Sequence, residues 1–596
     1  MQPGLVAAAF DYWYPLGADR TVVALSRAAP IVLDGEWMRI LRACRGFKSV
    51  SEHQAEIERS HPPHPDRPSH LFLALNGLVG LGAMVSLESL LHSGRPEPEK
   101  SPSIHTLVVP TCDHPELLER CIRSFAANAT RFARPMEFVV ADDARSVEAR
   151  ARTRECLGRL VRTERLAIRY GGFDEKRTFA EAVHRRSGVP LETVEFALLG
   201  HPSARETMGA NRNALMLDTL GGCVLSADDD TVCDTSMHPD SRDGVVFLDD
   251  VDPSEVWFYS SRQAAVAAAK PVSVDFFGAH ERLLGHRLGD VVREPLASLA
   301  EAGHYLPRLL ARDGGRVAVT YNSVVGDSGM YSGMNLLGAT GSTRARLVRS
   351  EAEYRSAFTS REVARITAVS AVRRGPPSNG MFLGLDNRHP LPPFFPVCRN
   401  EDGVFGRALD MCFPDLCFGH APVAALHAPP EGRVYRQGAT GQVRLSDVVL
   451  TTMRTCLPSG AVLASGNWKA ILQMTGGQMA HVASSPRDVF ACFVRDRLCA
   501  QASSLVGHYE WLIQQHGGLP TFWVADLRSR IETLRAALTR DDYYVPVDLE
   551  EDVASQTLER TQQLIKAWGE LLLSWPAIVE TASLLKARGL RITTAL

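Results

Sequence analysis

The 596-residue chain has no CxxC pair: its 12 cysteines are scattered, and the closest two, Cys412 and Cys417, lack a matching second pair. Neither a disulfide framework nor a structural zinc site is indicated, which suits a reducing cytosol. Net charge is also small, at −3, so no global positive field is present to hold a polyanion. Nucleic acid is therefore not the expected partner. The opening residues, MQPGLVAAAFDYWYPLGADR, lack the basic start and clean apolar run of an export signal, so a cytoplasmic protein is expected. The one long apolar segment, Leu71 to Leu87, is broken by Asn76 and three glycines. It falls short of the ~20 residues that cross a bilayer and is read as a buried helix, with no transmembrane segment.

What is present is a globular composition: 45% hydrophobic and 22% charged residues, with a length that suits three or four compact units. The stretch SGRPEPEKSPS, residues 93–103, has the Pro, Gly, Ser and charge content of a linker. It divides a small head (1–95, with the linker at 96–103) from the rest. The head reads as an apolar strand at 29–33, helical patterns at 37–44 and 49–58, and the Leu71 helix, a small winged-helix-like order. From Ile104 to about residue 432, apolar strands alternate with helical stretches, the pattern of an α/β domain with a mainly parallel sheet. Candidate strands are 105–110, 137–142, 166–170, 222–228, 317–322 and 423–428. Residues 433–596 show helical spacing and are expected to form a mainly α-helical domain.

Ligands of open α/β sheets bind beyond the carboxyl ends of the strands, so the residues there are the candidates for chemistry. Three strand ends stand out: Val109-Pro110-Thr111-Cys112-Asp113, then Ala141-Asp142-Asp143, and Ser226-Ala227-Asp228-Asp229-Asp230, the last preceded by Gly209-Ala210-Asn211-Arg212-Asn213. Paired acids at a strand end also serve as caps of the following helix, which leaves Asp142 and Asp143 open between the two roles. Three adjacent aspartates repel unless a cation or donor compensates them, and a hard divalent ion does so naturally.

Within the head, APIVLDGEWMRILRACRGFKSVSEHQAEI followed by an apolar helix resembles PqqD-like peptide-recognition domains, which sit beside enzymes that modify ribosomally made peptides. That likeness implies a precursor peptide whose leader adds as a strand to the head's sheet edge, with the linker acting as a flexible tether. The order VVPTCDHPELLERCIRSF, VVADDA, GANRNALMLDTLGGCVLSADDDT and RNEDGVFG, from Ile104 to Pro430, resembles the GT-A (Rossmann-like) glycosyltransferases, most similarly the inverting family-2 enzymes. The resemblance implies a nucleotide-sugar donor, UDP-linked, with Thr111, Asp142 or Asp143, Arg212, Asn213, Asp228 and Asp229 on the donor side. It further implies Mn²⁺ or Mg²⁺ held by Asp228 and Asp230, with His427 as a late ligand, and a catalytic pair Glu401 and Asp402. In that scheme the metal neutralises the departing diphosphate and Asp402 takes the acceptor's proton.

Alternatives stay beside these roles. Glu401 and Asp402 fit the first turn of a helix equally well, His427 fits a hydrogen-bonded strand end, and Asp327 is the substitute base. Two motifs are set aside. Gly326-Asp327-Ser328-Gly329 matches a serine-protease loop over four residues only. His280 and His286 are six apart, whereas a zinc-protease helix needs its histidines four apart to share a face. The expectation is a metal-dependent inverting glycosyltransferase acting on a precursor peptide, with a small-molecule or polysaccharide acceptor, or a non-catalytic nucleotide-binding scaffold, as alternatives. Acceptor recognition is expected in the expanded stretches between Gly171 and Met208 and between Thr231 and Gly326.

Overall fold

A computed structural model describes residues 4–16, 19–25, 29–60, 70–92, 102–202, 204, 206–249, 251–312, 314–375, 380–430, 433–436, 438–549 and 553–596. The linker assigned to 96–103 lies outside the described residues as far as Ser101.

The head combines an antiparallel three-stranded sheet, Phe10–Pro15, Arg20–Leu25 and Ile31–Asp34, with helices Gly35–Ala43, Val50–Ser60 and Leu71–Gly80. Asp34 starts the first helix by accepting the Trp37 amide at 2.9 Å, satisfying a donor that would otherwise have no partner. The helix expected through Leu87 stops at Gly80. Gly82 takes φ +74°, and Met84–Ser86 continues as a strand paired with Val6–Ala8. A mainly apolar run carries little period to separate helix from strand, and Gly82 in the left-handed region marks the change of direction.

The head is seated on the body. Phe47, Leu87, Leu90 and Leu91 share a core with Leu283, Val291, Tyr305 and Leu306, and the Phe47 amide donates to the Leu299 carbonyl at 3.1 Å. Gly46, at φ +70°, allows the closest approach, since a Cβ there would lie 2.2 Å from the Ala300 carbonyl oxygen.

The body is mixed α/β around one large sheet, whose core runs Leu416–His427, Arg316–Asp327, Phe382–Asp386, Cys223–Ala227, Ile104–Thr111, Glu137–Asp142 and Ala167–Gly171. The last four of these are mutually parallel, as are the first two. Phe382–Asp386 is inserted antiparallel between the two sets. Both faces are covered, so successive strand residues enter different layers. Val108 and Val139 meet helices Phe173–Ser187 and Met208–Asp218, while Val109 and Val140 meet Pro115–Arg131 and Val147–Glu164.

The tail is helical, with long helices Trp468–Ala483, Arg487–Gln515, Thr521–Leu538 and Ala554–Ala587. It shares its core with the sheet: Trp568 and Trp575 are fully buried in the layer that also holds Val108 and Leu215. Trp575 Nε1 donates to the Leu391 carbonyl at 2.7 Å. Beyond the last helix, Thr594–Ala595 pairs antiparallel with Ala167–Gly171, and Asp218 holds both Arg591 and Thr593. Among the described residues, no helix is long and apolar enough to cross a membrane.

Candidate functional site

The chain runs outward from Ile104–Thr111 through Glu137–Asp142 to Ala167–Gly171, then returns to the other side of the first strand as Cys223–Ala227. At such a reversal, between the carboxyl ends of Ile104–Thr111 and Cys223–Ala227, open α/β sheets place their ligand crevices. Thr111 and the 228–230 acids meet there: Thr111 Oγ1 donates to Asp229 Oδ2 at 2.6 Å. Burial and the neighbouring acids push the Asp229 carboxyl up to about 7, against the Thr111 hydrogen bond.

Strand Thr231–Met237 turns back from the acids and pairs with Leu416–His427, setting Thr231 opposite His427. The turn is closed by Thr231 Oγ1, which donates to the Asp228 carbonyl at 2.6 Å, and by the Ala428 amide, which donates to the Asp230 carbonyl at 2.8 Å. Arg120 Nη2 braces it through the Ala428 carbonyl at 2.7 Å. His427 Nε2 thereby stands 3.3 Å from Asp230 Oδ1, while its Nδ1 is 2.6 Å from the Asp327 carbonyl oxygen. That carbonyl can only accept, so Nδ1 carries a proton and Nε2 is turned to the acid. Burial opposes charge on the imidazole, but Asp230 and the Asp327 carbonyl outweigh it and raise its pKa.

Asp230 Oδ1 is buried and meets His427 Nε2 as an ion pair, outside good hydrogen-bond geometry. Once the imidazole gives up its Nε2 proton, the carboxylate oxygen and that nitrogen are a donor pair that fits Mn²⁺ or Mg²⁺. Among the described residues, no three His, Cys, Asp or Glu side chains converge as a ready ligand set. Asp228, expected as the third ligand, has Oδ1 bound by Arg212 at 2.7 Å.

Arg212 is the hub of the site. Its side chain is 3% exposed and donates from Nη2 to Asp228, from Nε to Glu401 Oε1 at 3.2 Å, and from Nη1 to Ser226 Oγ at 3.2 Å. Glu401 and Asp402 do open a helix, Glu401–Cys412, after Asn400 at φ +75°. Their roles separate: Glu401 is buried under Arg212, and burial together with Asp402 pushes it up to about 7. Asp402 is partly exposed. Its Oδ1 accepts the Gly403 amide at 2.9 Å, and Gly380 leaves space beside it, since a Cβ there would come within 3.1 Å of Asp402 Cβ.

Other expected residues are engaged by the protein itself. Asp142 has no exposed surface, accepting from the Ala144 amide at 2.8 Å and Tyr170 Oη at 2.9 Å. Asp143 is bound by Lys176 and by Thr207 Oγ1 at 2.7 Å. Asn213 points into the core, where its amide bonds the Ala197 and Phe394 carbonyls and the Phe394 amide. One helix step of about 100° separates it from Arg212, which explains why neighbours face different surroundings. Asp327 is wholly buried and paired with Arg361 at 2.7 Å, which leaves it badly placed as a substitute base. His280 is buried against Thr320 at 2.8 Å, and His286 bonds the Glu281 carbonyl.

Sequence reasoning missed Lys176, Asn211 and Arg120. Asn211 ties the helix start to the strand tips through the Thr111 and Ala141 carbonyls at 3.2 and 2.8 Å. Its signal was present, one residue before Arg212 in the same motif. Compared with known proteins, the chain matches no protein-family model, and no curated protein matches it.

Proposed function

We propose that this chain is a metal-dependent inverting glycosyltransferase of the GT-A type, transferring a sugar from a nucleotide donor to an acceptor nucleophile. The observation that carries the reading is a convergence at the sheet's reversal point. The 228–230 acids, His427 and the Glu401-Asp402 helix come from three distant segments and meet through Arg212 and the Asp230–His427 contact. Such acid-rich crevices at strand ends support binding of a nucleoside diphosphate with a divalent cation.

Asp230 and His427 would hold the cation, which when bound supplies Lewis-acid neutralisation of the diphosphate's growing charge. The protein's own residues do the rest. Arg212 keeps the Asp228 carboxylate turned into the crevice and anchors Glu401. Glu401, so held, fixes the first helical turn, and Asp402 accepts the acceptor's proton at Oδ2 while Oδ1 stays on the Gly403 amide.

The proposed acceptor is a ribosomal precursor peptide carried by the head. Phe10–Pro15 pairs only with Arg20–Leu25 among the described strands and is the outer strand of its sheet, with Trp13 exposed on it. The test is binding and hydrolysis of nucleotide sugars with and without Mn²⁺. Metal-dependent release of nucleoside diphosphate is expected; tight nucleotide binding without turnover would favour a non-catalytic scaffold. That second reading draws on Asp228 being already occupied by Arg212.

A further inference from the structure

The crevice has two ends of opposite character. At the acid end, Asp230 Oδ1 meets the titratable His427 Nε2 at 3.3 Å, outside good hydrogen-bond geometry. Around the tip of Glu137–Asp142, by contrast, the acids that would face a nucleobase are all engaged by the protein. Asp142 is spent on the Ala144 amide and Tyr170 Oη, and Asp143 on Lys176 and Thr207. Lys176 is itself fully buried, donating also to Asn211 Oδ1 at 2.6 Å and to the Asp142 carbonyl at 3.2 Å. None of these six side chains leaves a buried polar atom without a partner.

A uracil or guanine ring offers an imide N–H, and a carboxylate is its strongest acceptor. Freeing Asp143 for that task would leave a buried ammonium uncompensated, which is strongly unfavourable. The diphosphate end differs: Asp230 is held there by an imidazole that can give up its proton, so an incoming cation replaces that contact without stranding a fixed buried charge. Lys176 comes from helix Phe173–Ser187, inside the expanded stretch that follows Gly171.

We propose that Lys176 is a specificity-determining residue: by closing Asp143 it removes acidic reading of the base, so the pocket takes nucleoside diphosphates through their diphosphate and tolerates any base. The proposal rests on the donor-site reading above, and it departs from the UDP expectation. Asp113, exposed at φ +59° in the adjoining loop, is the carboxylate that remains near the tip.

The test is calorimetric titration of the full chain with UDP, GDP, CDP and ADP in the presence of Mn²⁺. Dissociation constants within about tenfold of one another are expected. A wider preference for UDP or GDP overturns the inference and leaves the donor reading standing, including where Asp113→Asn abolishes that preference. Binding of none of the four overturns both. In Lys176→Met, Asp143 is released, and a shift of about tenfold or more toward UDP and GDP over CDP is expected. A folded Lys176→Met protein with an unchanged order of affinities overturns the role of Lys176, and the wild-type panel decides the matter if that variant does not fold.

Discussion

Arg212 joins Asp228 to Glu401: its Nη2 lies 2.7 Å from the first and its Nε 3.2 Å from the second, with almost none of the guanidinium exposed. The two acids belong to segments over 170 residues apart in the sequence, so one cation holds the tip of Cys223–Ala227 against the start of helix Glu401–Cys412.

Replacing that cation tests the link directly. Arg212→Met leaves buried Glu401 and part-buried Asp228 uncompensated and should cost about 3 kcal/mol of stability, read from urea unfolding. Arg212→Lys restores charge but cannot span three acceptors as a planar fork. It should recover part of the stability while turnover stays down by about tenfold or more.

Asp402→Asn separates binding from transfer. Because the side chain lines the crevice without holding another element, donor binding should stay within about twofold while transfer falls by about a hundredfold or more. Unchanged transfer would remove Asp402 as the base, and buried Asp327 is not a ready substitute.

Helix packing in the tail depends on two glycines. A Cβ on Gly569 would come within 2.6 Å of the Ala480 amide nitrogen, and one on Gly476 within 2.4 Å of the Gly569 carbonyl oxygen. Gly569→Ala should therefore force helices Trp468–Ala483 and Ala554–Ala587 apart and cost about 1–3 kcal/mol, seen as a lowered melting temperature. Because this layer also packs on the sheet, nucleotide binding should weaken along with it.

His280 supplies a pH test. Burial drives its pKa from 6.5 down to about 4, so the folded protein keeps it neutral while the unfolded chain protonates it. Its contribution is complete above pH 6.5 and is lost as pH falls toward 4, reaching about 3 kcal/mol. His280→Asn should flatten the acid limb of the stability curve over that window, measured by urea unfolding at pH 4.5 and 7.

Much of the body was legible because buried parallel strands are dense apolar runs bounded by turns: residues 105–110 and 137–142 fall within strands of almost the same extent. The head's hairpin, Phe10–Pro15 and Arg20–Leu25, was not read, since its residues mix aromatic, charged and apolar types without clean alternation. At the site, motif order brought out Asp230, His427, Arg212 and Asp402, whereas orientation did not follow from order. Asn213 turned to the core, Asp142 was consumed as a turn acceptor, and Lys176 entered from a helix whose register against the strand tip depends on long-range packing.

The seating of the head on residues 299–306 gives it a geometric office. If a peptide adds to the Phe10–Pro15 edge, the span from that edge to Asp402 is set by packed protein on both sides, not by a slack tether. Under the proposed function the protein would then act as a ruler, and the modified residue would fall at a constant count from the recognised segment whatever the intervening sequence.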